Sequence, residues 1–217
     1  VIYSYTFLNT YEICPHQAYR RYVKKDLPFV ETEEMKWGTS VHKAMEARLK
    51  YGAALPEGMQ KYEVFATYFI TQRAEPEMNL ALAHDGSATM FWSKNPEPYT
   101  RGKVDVHWLP NPEIAFIADY KTGKVREEPF ELELFGLMLH ARYPSLKTIK
   151  GRYIWLRDMK LGKEHDLSNT MRTWQDLKSR TNTIENYARM DHWPKRQSPL
   201  CGWCNVKDCQ FNPEYRP

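Results

Sequence analysis

The chain has 217 residues, of which 42% are hydrophobic, 14% aromatic and 27% charged. This length and balance predict one compact domain with a real core, and they exclude collagen-like, low-complexity and wholly disordered classes. The net charge of +4 is mild but uneven: residues 1–50 carry 8 Lys/Arg against 6 Asp/Glu, residues 51–146 carry 9 against 13, and residues 147–217 carry 14 against 8.

The first helical signal runs from Phe7 to Val23, with Leu8, Tyr11, Ala18, Tyr19 and Tyr22 at helical spacing. It starts afresh at Cys14-Pro15, because proline is tolerated in a first turn. Met35–Tyr51 repeats the signal through Val41, Ala44, Met45 and Leu49, and Pro56–Leu82 reads as a further, less regular helical region. After Asp85-Gly86 the pattern becomes extended over Ala88–Trp92, Tyr99–Leu109 and, across the turn Pro110-Asn111-Pro112, Ile114–Lys121. Glu127–Tyr143 returns to a helical period and stops at Pro144. Lys150–Leu156 is a strand with Lys163–Leu167 as its partner, and Asn169–Arg189 is a polar helix ahead of a proline-containing tail. The expected fold class is α/β (α+β) over residues 1–217. A helical N-terminal segment spans 1–85, an αβ core 86–168, and a helix with a cysteine-rich tail 169–217.

The longest apolar stretches, Ile114–Ala118 and Leu134–Leu139, fall far short of the roughly 20 residues of a membrane-spanning helix. The start, Val1-Ile2-Tyr3-Ser4-Tyr5, lacks the pattern of a secretory signal, so a cytoplasmic protein with no membrane partner is expected. No G-x4-G-K-[ST] loop and no G-x-S-x-G elbow is present, which argues against a motor ATPase of that kind and against a serine hydrolase.

The acidic middle suits carboxylates that hold cations beside basic flanks that meet phosphate, although solvated faces give the same totals. Four acid-x-Lys triplets occur, at Glu34, Asp119, Asp158 and Asp176, where about two are expected by chance from the composition. Only Asp119-Tyr120-Lys121 closes an apolar strand, Ile114–Ala118, and strand alternation puts Asp119 and Lys121 on one face. If the hairpin folds about Asn111, Asp105 of Gly102-Lys103-Val104-Asp105 lies opposite a residue near Ile117, within a residue or two of Asp119. Two converging carboxylates stay ionised most easily around a hard divalent ion such as Mg²⁺ or Mn²⁺. His42, in Gly38-Thr39-Ser40-Val41-His42 with Glu46 one turn on, would add an imidazole and make a mixed N/O site. The competing reading of these residues is a solvated acidic hairpin and a structural helix histidine.

Cys14 stands alone, while Cys201, Cys204 and Cys209 form a C-x2-C-x4-C triplet. Four thiolates suit either Zn²⁺ or an iron–sulfur cluster, and disulfides are improbable in a cytosolic chain. The basic and aromatic run Tyr19–Lys25 offers Arg20, Lys24 and Lys25 as candidate DNA phosphate contacts, its aromatic members being better suited to packing. Trp193, Lys195 and Arg196 form a second, weaker candidate.

In this order the motifs Gly38…His42, Gly102-Lys103-Val104-Asp105, Ile117-Ala118-Asp119-Tyr120-Lys121-Thr122-Gly123 and Glu131-Leu132-Glu133-Leu134-Phe135 resemble the RecB-like branch of the PD-(D/E)XK nuclease superfamily. The resemblance implies a restriction-endonuclease-like core with a mixed central sheet flanked by helices. It further implies Mg²⁺ or Mn²⁺ on His42, Asp105, Asp119 and the Tyr120 carbonyl, and a lysine, Lys121, that positions or activates water. The family's last motif is Gln-x-x-x-Tyr; Glu131 and Phe135 stand here, which removes an amide and a hydroxyl from that helix.

Cys14-Pro15 together with the C-terminal triplet looks like the iron–sulfur members of the branch, among them CRISPR-associated RecB-like exonucleases. There a 4Fe–4S cluster staples the two ends of the chain; the triplet here is one residue shorter than the x2/x5 form, which keeps Zn²⁺ open. The expected function is a metal-dependent DNA exonuclease in repair, recombination or processing, acting on single strands or free ends, with a helicase, recombination or CRISPR protein as partner. The alternative is a non-catalytic iron–sulfur DNA-binding or assembly module with a degenerate nuclease site.

Overall fold

A computed structural model describes residues 1–27 and 30–216. The chain divides into two compact units, Glu31–Trp174 and the paired end segments Val1–Val30 with Gln175–Pro217. The helical segment expected over residues 1–85 is therefore shared between the units, because the first thirty residues pack with the tail. Among the described residues no helix is long and apolar enough to cross a membrane.

The larger unit is a mixed α/β structure built on a six-stranded sheet: β1 (Glu75–Leu82), β2 (Thr100–Asn111), β3 (Ile114–Lys121), β4 (Thr148–Trp155), β5 (Lys160–Leu161) and β6 (His165–Asp166). The strand order is β1-β2-β3-β4-β5, with β6 paired to β4. β1, β2 and β3 form an antiparallel meander, whereas β3 and β4 are parallel and joined through a helix. A parallel pair needs such a crossover, while the β2–β3 return needs only a turn, closed by the Asn111 side chain accepting the Glu113 N–H at 2.9 Å.

Two expectations are corrected. Pro56–Leu82 is not helical throughout: a 3₁₀ turn at Gln60–Tyr62 leads into an α-helix over Glu63–Thr71, and Glu75–Leu82 is β1. Pro76, Met78, Leu80 and Leu82 alternate with polar Glu75, Glu77 and Asn79, a two-residue period that overrides the helical reading once Arg73 turns left-handed at φ 54°. Ala88–Trp92 is not a strand either. It makes one bridge, Leu82 to Ala88, because Asp85 draws the chain into a turn by accepting both the N–H and the hydroxyl of Ser87.

Helix α3 (Glu33–Tyr51) follows α1 (Tyr5–Ile13) and α2 (Pro15–Ala18) in the chain. Thr32 caps α3 by accepting the Met35 N–H, Glu33 and Glu34 face its positive end, and Gly52 ends it at φ 68°. With α4 (Glu63–Thr71) it covers Val106, Ala118, Tyr120 and Ile154 of the sheet, through Val41, Met45, Ala66 and Phe69. α5 (Phe130–Arg142) is the crossover helix, and Gly102 on β2 is what lets it approach: a Cβ there would stand 2.7 Å from Phe135 Cε1.

The smaller unit holds α1, α2, a π-helical turn at Tyr19–Val23, most of α6 (Thr170–Arg189) and a short 3₁₀ turn at Pro199–Trp203. The helix break at Cys14-Pro15 is as expected: Cys14 is extended at φ −156° and Pro15 begins α2. Trp193 stacks on Tyr19 at 5.1 Å and meets Tyr11 edge-on, so these aromatics pack.

Candidate metal and active site

The β2–β3 register pairs Val106 with Ala118 and His107 with Ile117, so Asp105 falls opposite Asp119. On its other side, the β1–β2 register pairs Pro76 with Val106 and Met78 with Val104, which puts Glu77 opposite Asp105. Three acids thus form a row across three adjacent strands. Glu77 was missed by sequence reasoning because its segment read as helix; the signal that would have found it is the alternation of Glu75, Glu77 and Asn79 with apolar neighbours.

His42 enters from α3. Its Nδ1 lies 3.0 Å from Asp105 Oδ1, and its ring meets that of Tyr120 edge-on at 5.7 Å. The other oxygen, Asp105 Oδ2, accepts the Tyr120 backbone N–H at 2.7 Å. It is therefore the N–H of Tyr120 that meets Asp105, and both oxygens of this buried carboxylate are oriented by separate elements. Ligand atoms of His42, Glu77 and Asp105 lie within 4.8 Å of one another, spacing compatible with one ion. Glu46, the acid one turn past His42, is instead turned to Lys50 at 2.7 Å.

Asp119 and Lys121 leave β3 on one face, as alternation requires, and Lys121 Nζ lies 2.6 Å from Asp119 Oδ2. The same ammonium donates to Glu131 Oε2 of α5 at 2.7 Å and stands 5.3 Å from the centre of the Tyr153 ring. Glu131 thus occupies the approach to Lys121, and Phe135, one turn on, is buried over Gly102. His42, Glu77 and Asp105 thus form one close group, while Asp119, opposite Asp105 in register, is drawn with Glu131 to Lys121.

Burial and mutual charge shift these groups together. Burial, then the charge of Asp105, raises the Asp119 carboxyl well above its ordinary range, with Lys121 opposing. Burial alone would lower Lys121, but the charges of Asp119 and Glu131 prevail and push it up, so it remains an ammonium. Burial likewise works against a charged His42, yet the hydrogen bond and charge of Asp105, with Asp119 and Glu77, hold it above its usual value. Burial raises Glu77, opposed by its ion pair with Lys103. Burial and mutual repulsion thus favour neutralising these carboxylates, by a proton or by a cation.

In the smaller unit all four cysteines are free thiols, and all four line one cavity with Ile13, His16, Leu200 and Val206 among its other walls. Burial, with the neighbouring Cys14, Cys201 and Cys209, raises the Cys204 thiol. Cys201 Sγ accepts the Ser198 N–H at 3.4 Å, and the Cys204 carbonyl is held by Asn212 Nδ2 at 2.7 Å. The four cysteine side chains thus share the lining of one cavity.

The candidate DNA contacts also lie in this unit. Arg20 is engaged by Asp26 at 2.7 Å and by both oxygens of Asp208 at 2.8 Å, which makes it a tie between end segments. Lys24 reaches Asp26 at 2.7 Å while remaining half exposed, and Lys25 is exposed at φ 58°.

No family model matches the chain, and no curated protein matches it. One solved structure that it resembles is that of SSO0001, with a TM-score of 0.55 and 13% identity over 97% of this chain and 86% of that one. At this identity the likeness concerns the fold alone.

Proposed function

We propose that the chain is a metal-dependent deoxyribonuclease of the PD-(D/E)XK, RecB-like class, acting as an exonuclease at DNA ends. The observation that carries this reading is the contact of His42, from α3, with Asp105 of β2, beside Asp119 and the Lys121–Glu131 pair. Residues far apart in sequence converge on one imidazole, several carboxylates and one ammonium. A solvated hairpin would have no reason to collect them.

The donor set fits Mg²⁺ or Mn²⁺: hard carboxylate oxygens with one imidazole, from His42, Glu77, Asp105 and Asp119. A divalent ion there supplies a lowered pKa for attacking water and countercharge for the phosphate. The protein's own groups do the rest. The Tyr120 N–H and His42 fix the two oxygens of Asp105, so this carboxylate is pre-oriented. Lys121, kept protonated by Asp119 and Glu131, serves as a fixed positive charge and donor to the phosphate, not as a base. Glu131 takes over the restraint of the lysine on the helix where the family carries glutamine.

The four-thiol cavity fits a 4Fe–4S cluster or Zn²⁺ by donor chemistry, and we assign it a structural role in holding the segments around Cys14 and Cys201–Cys209 together. We assign DNA as the substrate, with a helicase, recombination or CRISPR protein as partner. The test is degradation of end-labelled single- and double-stranded DNA with Mg²⁺ or Mn²⁺. Cleavage by the wild type that is lost in Asp119→Ala and in Lys121→Ala supports the assignment. DNA binding with no cleavage under either metal would favour the non-catalytic module.

A further inference from the structure

Between β1 and β2 the chain makes a loop over residues 83–99, in which the side chain of Trp92 stands out: the residue is 72% exposed. Its position is fixed nonetheless. The Thr89 N–H donates to the Ala81 carbonyl at 3.0 Å and the Tyr99 N–H to the Leu82 carbonyl at 2.8 Å, which ties both flanks of the loop to β1. Arg101, the second residue of β2, sets its guanidinium 5.0 Å from the centre of the Trp92 ring and 4.9 Å from that of Phe91. Arg101 Nη1 also donates to the Phe91 carbonyl at 3.3 Å, and the two rings meet edge-on at 4.7 Å. The indole therefore rests on a cation anchored in the sheet, with most of its surface open to solvent.

This stack lies on the side of β2 that carries the candidate metal group. Gly102 turns toward Phe135 of α5, so alternation turns Arg101 and Lys103 to the other side, where α3 brings His42 to Asp105. Arg101 precedes Asp105 by four residues, about 13 Å along the strand. At a rise of roughly 3.4 Å per nucleotide in stacked DNA, that distance is a few nucleotides. Lys103, between them, is taken by Glu77. The loop charges Asp85, Lys94 and Glu97 cancel with that of Arg101, so what the loop offers is a ring and not a phosphate site. One open indole has the footprint of one base, far below the roughly 800 Å² per partner of a stable protein interface.

We propose that Trp92, backed by Arg101, is the stacking platform for one unpaired base of a single-stranded DNA whose phosphate lies at the acid row. This deepens the nuclease reading and rests on it. Stacking on an aromatic face needs a base that is free of its partner and is tolerant of sequence, so the platform selects single strands without choosing among them.

The test is fluorescence anisotropy of the full chain, without added divalent metal, using a labelled thymidine strand of about twelve nucleotides and an abasic strand of the same length. The wild type binds the thymidine strand about tenfold more tightly than the abasic one. Trp92→Ala loses that tenfold and binds both strands alike, and Trp92→Phe recovers most of it. Met90→Ala, at a neighbour just as exposed, changes nothing. The salt dependence keeps its slope in Trp92→Ala, because no phosphate contact is removed, and circular dichroism matches the wild type. Equal binding of the two strands by the wild type, or undiminished thymidine-strand binding by Trp92→Ala, would overturn the platform and leave the nuclease reading standing. A wild type with no affinity for either strand would overturn both. Self-association that is lost in Trp92→Ala with DNA affinity unchanged would assign the indole to a second copy and overturn the platform alone.

Discussion

Lys121 Nζ and Glu131 Oε2 are 2.7 Å apart, a contact that ties the end of β3 to the first turn of α5. With Asp119 on the same ammonium, it makes the lysine a permanent cation. Glu131→Gln therefore keeps a hydrogen-bonding group while removing one of the two charges that hold Lys121 protonated. Nitrogen-detected NMR of the lysine is expected to show its titration moving down toward the ordinary value, with DNA cleavage retained within about tenfold. Lys121→Ala, by contrast, is expected to abolish cleavage. Equal loss in both variants would mean that the carboxylate itself acts on substrate.

The approach of α5 to the sheet depends on Gly102. A Cβ at that position would stand 2.7 Å from Phe135 Cε1 and 3.0 Å from Met138 Cε, so Gly102→Ala is expected to cost about 1–3 kcal/mol in urea unfolding. Adding Phe135→Leu is expected to return much of that loss, because the ring is what the new methyl meets. An additive double variant would refute the contact as the cause.

The imidazole of His42 has a definite pH signature in metal-free protein. Its folded pKa is raised, so its contribution to stability is fully present below its unfolded value of about 6.5 and is lost as pH rises through the folded pKa. Thermal unfolding of the wild type relative to His42→Asn is expected to show the advantage at acidic pH fading toward alkaline pH. A difference independent of pH would contradict the ion pair with Asp105.

The cysteine centre predicts a local consequence. Cys14→Ser removes one of the four thiols around a shared cavity, and a loop closed by a metal on these thiols would run almost the length of the chain. Anaerobically prepared wild type is expected to carry a metal on these thiols, iron with sulfide or zinc. The variant is expected to lose it and to be cut faster by protease within residues 1–27 and 190–216. Unchanged metal content would remove Cys14 from the set.

Much of this architecture is legible in the sequence because its signals are local. The apolar run ending at Asp119, the turn at Asn111 and the proline restart at Cys14 each act within a few residues, and the first two bring Asp105 beside Asp119. Glu77 was not legible for the opposite reason. Its place opposite Asp105 is set by pairing with a strand some twenty-eight positions later, which the local alternation of its neighbours does not reveal. The role of Glu131 was also hidden, since only the packing of α5 on β3 decides that its carboxylate meets Lys121. Arg20 looks like a DNA contact in a basic run, but Asp208, near the other end of the chain, claims its guanidinium.

The most direct measurement is a calorimetric titration of the full chain with Mn²⁺, comparing wild type with Asp105→Asn. One or two saturable ions in the wild type, weakened by about a hundredfold or lost in the variant, are the expected result, because Asp105 contacts His42 and stands between Glu77 and Asp119 in the strand register. Wild-type protein that takes up no Mn²⁺, or a variant that binds it undiminished, would contradict the assignment of this cluster as a metal centre.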